Sequence, residues 1–261
     1  MDRAGPGVGA TTVVGLVGAC GGAGTTTLAA ALAHTWGSAV PGGAPGGEAG
    51  GGPDGEPGGA APVVLVDLDA AAPGLDVQLG IEDVDGLRWA DLSGARGDVP
   101  GAELVALLPV WRGVPVLSGD RWRPGPAPPE VVADVLSALV ACHRTVVLDL
   151  GRREVLDEGP ALAHCTVVLV VTPCDLRSVA GVVALRRVLG QTVADVRLAV
   201  RGPGPGGLSG LEVAHVVDLP VAGRVPHDRH LGALVERGFG PVPRRRGGFG
   251  RAVRRLARDL S

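Results

Sequence analysis

Residues Gly18–Thr27 read Gly-Ala-Cys-Gly-Gly-Ala-Gly-Thr-Thr-Thr, and we call this stretch the glycine loop. It follows an apolar run, Val13–Val17, and precedes a segment rich in Ala and Leu, Leu28–His34. A strand, a glycine-rich turn and a helix in this order are typical of phosphate-binding loops, because glycines let successive N–H groups point at an anion on the helix N-terminus. A tight turn without a ligand is the alternative. The pattern G-x-x-x-x-G-K-S/T requires lysine where this chain has Thr25.

The composition predicts a globular chain with an aliphatic core. Of its 261 residues 46% are apolar and only 2% are aromatic, and the net charge of -3 gives no general attraction to nucleic acids or anionic lipids. No apolar run approaches the roughly 20 residues of a membrane-spanning helix, and no secretory signal is indicated. Neither C-x-x-C nor metal-ligand spacing connects the cysteines, so reduced thiols in a cytosolic protein are predicted. They are Cys20, Cys142, Cys165 and Cys174.

The order of apolar runs predicts an α/β fold with a doubly wound, mostly parallel sheet. Val63–Asp69, Thr145–Leu150 and Val167–Val171 are continuous apolar runs, as in strands that are buried on both faces. Helical patterns at Pro129–Cys142 and Leu176–Leu189 alternate with such runs. Further strands are predicted at Val114–Leu117, Val196–Val200 and Val221–Val225, and further helices at Gly86–Leu92, Ala102–Leu108, Leu211–Val217 and Leu231–Glu236.

A segment of low complexity separates the first helix from the second strand. Between Pro41 and Pro62 most residues are Gly or Pro, and such a segment buries too little apolar surface to offset its ordering entropy. We expect residues 41–62 to form a disordered insert within one domain, residues 1–240. Loop closure entropy grows slowly with length, so the fold can carry the insert.

Carboxylates stand at the ends of two predicted strands. Asp67 and Asp69 end one apolar run, and Asp149 ends another. Ligands of parallel α/β sheets bind outside the carboxyl ends of the strands, where the glycine loop also lies. Loop amides that hold phosphate oxygens, together with a hydroxyl and carboxylates near a metal, make up a magnesium–nucleotide site. Ordinary solvated strand ends are the alternative.

The chain resembles the deviant-Walker ATPases of the MinD, ParA and CpaE/TadZ group over most of its length. Their loop reads K-G-G-x-G-K-S/T-S/T, which this chain matches at Gly21, Gly22 and Gly24. Cys20 stands at the first, signature lysine and Thr25 at the second. The resemblance implies a P-loop NTPase (MinD/ParA-like) fold, with ATP and Mg²⁺ as cofactors.

The same resemblance assigns roles to particular residues. It assigns magnesium binding to Thr26, Asp67 and Asp149, and it assigns catalysis to Asp69 and Asp149. Nucleotide binding is assigned to the glycine loop and to two later positions. The loop residues are Gly21, Gly22, Ala23, Gly24, Thr25, Thr26 and Thr27, and the later positions are Arg201 and Asp228. Arg201 lies close to where the family usually has Asn, and Asp228 ends a segment similar to the family's G-x-I-P-x-D.

Two further segments resemble a narrower group. Gly86–Leu92 and Val116–Arg121 are similar to segments of the bacterial CpaE-like proteins called septum-site-determining protein Ssd. Those proteins usually carry a receiver-like segment before the ATPase domain, and we expect this chain to lack it because Val13 already begins the first strand. Trp89 is interpreted as a half-buried packing residue, with a binding role as the alternative.

The missing lysines predict weak or absent ATP hydrolysis. A charge-assisted hydrogen bond contributes roughly 1.5–3 kcal/mol, and loss of a preorganised contact costs about 10²–10³ in turnover. Loop amides and Mg²⁺ would still permit binding, and Arg201 or Arg224 are the candidates for compensation. Cys20 is either a small replacement for lysine or a redox switch. His227 and His230 make a weak case for a metal site.

The expected function is a cytoplasmic, MinD/CpaE-like nucleotide-binding regulator of septum-site placement or of pilus or secretion-system assembly. It would act as a homodimer and with division or secretion-apparatus proteins, whereas nucleic acid is not an expected partner. An active ATPase of the same superfamily and a nucleotide-free scaffold are the alternatives. Phosphate release and thermal stabilisation by Mg–ATP distinguish these three.

The C-terminal segment, residues 241–261, is predicted to be a basic tail with an amphipathic helix. Phe249, Val253, Leu256 and Leu260 share one helical face, and arginines occupy the rest. Such a helix either lies on the inner face of the plasma membrane, as in MinD-type proteins, or docks its apolar face on the domain. Contact with nucleic acid is the third alternative.

Overall fold

The computed structural model describes residues 11–39, 61–72, 74–94, 100–204 and 206–261, and within these ranges eight strands form one sheet. The strands are β1 Thr12–Gly18, β2 Ala61–Leu68, β3 Val110–Trp111, β4 Val114–Leu117, β5 His143–Leu150, β6 Val167–Pro173, β7 Val196–Arg201 and β8 Val221–Arg224. Their order across the sheet is β3-β4-β2-β5-β1-β6-β7-β8. All neighbouring pairs are parallel except β3 and β4. The predicted mostly parallel sheet is therefore confirmed.

Helices alternate with the strands and cover both faces of the sheet. In chain order they are α1 Thr25–Gly37, α2 Leu75–Leu79, α3 Trp89–Leu92, α4 Gly101–Ala106, α5 Pro129–Cys142, α6 Arg152–Leu156, α7 Leu176–Thr192, α8 Gly210–Val217, α9 Arg229–Val235 and α10 Gly248–Asp259, with a 3-10 helix at Pro160–His164. One core lies between the sheet and α3, α4, α5, α7 and α8. The other lies between the sheet and α1, α2, α9 and α10. The fold is thus doubly wound.

The central strands are buried on both faces, which explains their unbroken apolar sequences. Val13, Val14, Leu16 and Val17 of β1 are all at most 2% exposed. Strand β1 lies between β5 and β6, so both of its edges are also paired. The carboxyl ends of β1, β2 and β5 therefore meet at one edge of the sheet, where the glycine loop begins.

The second strand begins earlier than predicted. Ala61 opens β2 and is in register with His143, the first residue of β5, so pairing along the whole of β5 extends β2 into the predicted insert. The rest of that insert, residues 41–60, lies outside the described residues.

The C-terminal helix α10 docks on the domain. Phe249, Val253 and Leu256 are buried in the same core as α1. The indole N–H of Trp36, on α1, donates a hydrogen bond of 3.2 Å to the main-chain oxygen of Ala257. Of the three alternatives for this helix, apolar docking is the one observed, and residues 248–260 pack into the domain that was predicted to end at residue 240.

Candidate functional site

The glycine loop forms an open turn between β1 and α1. The N–H of Ala19 donates to the oxygen of Val171 on β6 at 2.9 Å, and the N–H of Ala23 donates to the oxygen of Cys20 at 3.3 Å. Gly22 and Gly24 have φ angles of 74° and 83°, a left-handed conformation that favours glycine. Gly24 is also the N-cap of α1, which therefore has no side-chain cap. The first N–H groups of the helix are left for an anion.

Asp67 and Asp149 lie side by side at the ends of β2 and β5. The two residues are paired in the strand register, and they are 4% and 2% exposed. Thr26, in the first turn of α1, lines the same cavity as Asp67 and Asp149, and its side chain lowers the pKa of Asp149. The structure thus brings together the three residues that the sequence predicts for magnesium.

The electrostatics of this trio favour a bound cation. Burial, together with the neighbouring charge of Asp67, raises the pKa of Asp149 to about 7, although the side chain of Thr26 opposes the shift. Burial also raises the pKa of Asp67. Among the described residues the Oδ2 atom of Asp149 has no hydrogen-bond partner. A divalent cation would satisfy this oxygen and offset the repulsion between the two carboxylates.

The donor set fits Mg²⁺ and not a metal held by side chains alone. Within the described ranges, no group of three or more His, Cys, Asp and Glu side chains is placed to hold a metal ion. Magnesium is usually bound by one or two carboxylates together with phosphate oxygens and water. Thr26, Asp67 and Asp149 provide the protein's share of such a site.

Two cavities adjoin these acids. One, of about 500 Å³, is lined by Thr26 and Asp149, and the other, of about 260 Å³, is lined by Asp69 and Glu154. Asp67 lines both. Asp69 lines the second of these cavities and not the first, and its catalytic role stays a prediction.

Arg201, at the end of β7, reaches the glycine loop. Its Nη1 atom donates a hydrogen bond of 2.7 Å to the main-chain oxygen of Ala23, and the same nitrogen lies 2.3 Å from where a Cβ of Gly24 would be. Any side chain at position 24 would collide with the guanidinium group. The loop therefore has a cation beside it, although it has no lysine of its own.

The other late residue predicted for nucleotide binding has a structural role. Asp228 is the N-cap of α9, and its Oδ1 atom accepts the N–H of His230 at 3.0 Å. The adjacent residue, His227, lies with Nδ1 at 3.4 Å from Nη2 of Arg201. Capping accounts for Asp228, and nucleotide binding by this residue stays a prediction.

Cys20, at the signature-lysine position, contacts helix α7. Its Sγ atom is 3.4 Å from Oγ of Ser178. Helix α7 approaches closely here because Gly181 has no side chain, and a Cβ at that position would lie 1.9 Å from the oxygen of Ala19. The contact supports the interpretation of Cys20 as a small residue packed against the helix.

Sequence reasoning missed the residues that surround Asp67. Trp89 was predicted to be half-buried, but it is 6% exposed, and its indole N–H donates to the main-chain oxygen of Asp67 at 2.6 Å. Ser118 follows β4 and donates from Oγ to Oδ2 of Asp67 at 3.4 Å. Both residues lie in the two segments that resemble the narrower group, which is the signal that could have drawn attention to them.

Comparison with curated sequences finds relatives in one organism. No family model matches the chain. Two uncharacterized proteins of Mycobacterium tuberculosis, MT3760 of strain CDC 1551 and Rv3660c of strain H37Rv, are each 35% identical to it over 248 residues. The alignment covers 94% of this chain but only 62% of each relative. The chain therefore spans less than two thirds of the relatives that it matches.

Comparison with solved structures decides the fold. A ParA family ATPase from Chlorobium tepidum superposes with a TM-score of 0.74 at 19% identity, covering 97% of this chain and 99% of that one. MinD from Pyrococcus horikoshii, complexed with Mg-ADP, superposes with a TM-score of 0.72 at 18% identity, covering 96% of each chain. The chain has the ParA/MinD fold. MinD of Aquifex aeolicus in its MinC:MinD complex gives a TM-score of 0.70 at 18% identity, covering 96% of this chain and 95% of that one.

Among the helices of the described ranges, none combines the length and the apolar character that are needed to cross a bilayer. All four cysteines are free thiols.

Proposed function

We propose that this chain is a nucleotide-binding regulator of the ParA/MinD superfamily that binds Mg–ATP at the glycine loop and hydrolyses it slowly or not at all. The N–H groups of the loop and of the first turn of α1 would hold the phosphates. Thr26, Asp67 and Asp149 would hold Mg²⁺, which screens the phosphate charge when bound.

The proposal depends on one observation. Thr26 and the buried carboxyl groups of Asp67 and Asp149 line one cavity at the N-terminus of α1, which has no side-chain cap. Two buried neighbouring carboxylates destabilise a fold unless a cation neutralises them. Within the part of the chain that the structure describes, the Oδ2 atom of Asp149 has no partner, and this is the most direct sign of a ligand because a buried polar atom without a partner is costly.

Slow hydrolysis follows from the chemistry of the loop. Phosphoryl transfer depends on preorganised positive charge around the transferred group. Position 25 has threonine where the pattern requires lysine, and its hydroxyl lies against Gly18, 2.7 Å from where a Cβ of that residue would be. The loop can therefore hold phosphates through its N–H groups while it lacks a charged side chain for catalysis.

Binding of labelled ATP to the wild type and to Thr26→Ala tests the proposal. We expect saturable, Mg²⁺-dependent binding that Thr26→Ala weakens at least tenfold. Thr35→Ala is the matched control, since Thr35 lies at the other end of α1, where its hydroxyl donates to the oxygen of Ala31 at 2.8 Å. Wild type that binds no ATP, or equal binding by Thr26→Ala, would reject the proposed site.

An active ATPase is the second candidate, and the position of Arg201 favours it. Its guanidinium group lies at the loop, where it could replace part of the missing lysine charge. Steady-state phosphate release with Mg–ATP separates the two. Turnover of about 1 s⁻¹ or faster, in the range of ordinary enzymes, would support the enzyme and reject the slow regulator.

A scaffold without nucleotide is the third alternative from the sequence. Ligand that binds only the folded state stabilises it by about 2.7 kcal/mol at roughly 100 times its Kd. Thermal unfolding with and without Mg–ATP therefore distinguishes a binding protein, whose Tm rises, from a scaffold, whose Tm does not.

We also propose that the regulator acts as a homodimer and with division or secretion-apparatus proteins, in septum-site placement or in pilus or secretion-system assembly. The resemblance of two of its segments to CpaE-like and Ssd proteins supports this, as does a MinD neighbour solved with MinC. Light scattering of the protein with and without Mg–ATP tests dimer formation. Unchanged mass would contradict a nucleotide-dependent dimer.

We further propose a cytoplasmic location with peripheral contact to the inner face of the plasma membrane. The apolar face of α10 is buried, so the contact would be made by its exposed arginines, which include Arg251, Arg255 and Arg258. Replacing these three by Gln should reduce pelleting with phosphatidylglycerol vesicles. The control replaces Arg144, Arg153 and Arg187, which are exposed elsewhere. If the two triple variants pellet equally with the vesicles, the proposed membrane contact is rejected.

A further inference from the structure

Asp67 is held from several directions. Its Oδ1 atom accepts the N–H of Asp69 at 3.0 Å, and its Oδ2 atom accepts the N–H of Leu75, the first residue of α2, at 2.8 Å. The hydroxyl of Ser118 also donates to Oδ2, at 3.4 Å, and the indole of Trp89 donates to the main-chain oxygen of Asp67. The carboxylate therefore has one fixed orientation.

Ser118 connects Asp67 to a buried ion pair. The serine is 0% exposed, and its Oγ atom accepts the N–H of Asp76 at 3.1 Å while it donates to Asp67. The carboxylate of Asp76 in turn accepts a hydrogen bond of 3.1 Å from Nε of Arg88. Asp76 and Arg88 are 3% and 6% exposed, so water does not compete for these bonds.

Arg88 fixes the segment that follows α2. Its terminal nitrogens donate to the main-chain oxygens of Ile81, Val84 and Gly86 at 3.1 to 3.2 Å. Trp89, the next residue, donates its main-chain N–H to the oxygen of Ser118 at 3.1 Å. One hydrogen-bonded network therefore joins residues 75–89 to Ser118 and to Asp67.

We propose that Ser118 and Trp89 are positioning residues that hold Asp67 for Mg²⁺–nucleotide binding and couple the docking of residues 75–89 to occupancy of the site. The inference rests on the proposed function, because it assigns supporting residues to the same site. Partners that hydrogen-bond to a metal-binding carboxylate fix its direction, and their loss typically costs about 10–100-fold in metal affinity. Arg88 and Trp89 come from one of the two segments that resemble the narrower group, and Ser118 comes from the other.

Two variants remove hydrogen bonds from this network, two bonds in one variant and one in the other. Ser118→Ala removes the hydroxyl between Asp67 and Asp76, and Trp89→Phe removes the indole donor while an aromatic ring fills the space. Ser137→Ala is the matched control, because Ser137 is exposed on α5 and its hydroxyl donates to the oxygen of Ala133. Two variants keep the proposal testable if one of them fails to fold.

The first measurement needs no ligand. Amide hydrogen exchange of the nucleotide-free protein should show faster exchange at Leu75 and Asp76 in Ser118→Ala than in wild type. The second is the Mg²⁺ concentration that gives half-maximal ATP binding, which should rise about tenfold in Ser118→Ala and in Trp89→Phe. Ser137→Ala should leave both unchanged. A merely structural role would lower Tm without moving the Mg²⁺ requirement.

The failures of the two proposals are distinguishable. Wild type that binds no ATP at any Mg²⁺ concentration would overturn the proposed function and this inference with it. Wild type that binds, with the same Mg²⁺ requirement in both variants, would overturn the inference alone. A raised Mg²⁺ requirement with wild-type exchange at Leu75 and Asp76 would reject the coupling to residues 75–89.

Discussion

Arg201 donates a hydrogen bond of 2.7 Å to the main-chain oxygen of Ala23, across 178 residues of sequence. The guanidinium group is half-buried, and burial lowers the pKa of Arg201, which nevertheless keeps its charge at any physiological pH. A fixed positive charge thus lies at the edge of a loop that lacks lysine. The bond also ties β7, on one side of the sheet, to the start of α1.

Arg201→Ala should weaken Mg–ATP binding by about tenfold or more. A charge-assisted hydrogen bond contributes roughly 1.5–3 kcal/mol, and its loss would also free the loop. Titration with labelled ATP measures the effect, and Arg187→Ala, at an exposed arginine of α7, is the control. An unchanged affinity in Arg201→Ala would mean that the arginine only supports the fold.

Thr25→Lys should raise the rate of phosphate release at least tenfold. The substitution restores the lysine of the P-loop pattern, and single preorganised contacts are worth about 10²–10³ in turnover. The measurement is steady-state phosphate release with Mg–ATP. Adding Thr26→Ala to this variant should abolish the gain. A Thr25→Lys protein that binds ATP but is as slow as wild type would show that more than this lysine is missing.

Asp149→Asn should stabilise the ligand-free protein and abolish its stabilisation by Mg–ATP. In the folded protein the pKa of Asp149 is raised to about 7, from 3.8, so the carboxyl binds its proton more tightly folded than unfolded. The proton on Asp149 stabilises the folded state in full below pH 3.8, and this stabilisation is lost as the pH rises through 7. The Tm difference between variant and wild type in EDTA should therefore widen from pH 5 to pH 8. A difference that narrows would contradict the assignment.

Leu256→Ala should destabilise the protein by about 2–5 kcal/mol, as expected for a buried leucine. Leu256 is 1% exposed in the core that α10 shares with α1, and a Cβ at Gly223 of β8 would lie 3.0 Å from its side chain. Arg255→Ala, on the exposed face of the same helix, should change stability by no more than about 0.5 kcal/mol. Denaturant unfolding measures both, and equal stability of the two variants would contradict docking of α10.

The framework of the site could be predicted from the sequence because it depends on local patterns. Unbroken apolar runs identify strands that are buried on both faces, and parallel strands bring their carboxyl ends to one edge. The sequence alone therefore predicts that Asp67 and Asp149 lie beside the glycine loop. Their shared register confirms that they are neighbours.

The supporting network could not be predicted because it depends on long-range side-chain directions. Nothing in the sequence distinguishes Arg88 from an exposed arginine, and arginine is almost never fully buried unless it is paired. Its partner Asp76 lies twelve residues away, and the Ser118–Asp67 contact spans 51 residues. Sequence patterns do not fix which rotamer a side chain adopts across such separations.

The small strand β3 was missed although the chain carries a signal for it. Arg112 and Gly113 have φ angles of 50° and 82°, as in a two-residue type I′ hairpin between β3 and β4. Glycine at the second position of the turn is typical of such hairpins, but the first position has arginine in place of the preferred Asn, Asp or Gly. With only two residues, β3 was too short for its alternation to be recognised.

Docking of α10 on α1 has a consequence for synthesis on the ribosome. The indole of Trp36 and its acceptor, Ala257, are separated by 221 residues, and translation adds about 5–20 residues each second. The alanine-rich side of α1 therefore stays uncovered for roughly 10–45 s, until α10 has been synthesised. During that interval the apolar side of α1 is exposed on the nascent chain, which makes the chain a target for chaperones that bind unfinished polypeptides.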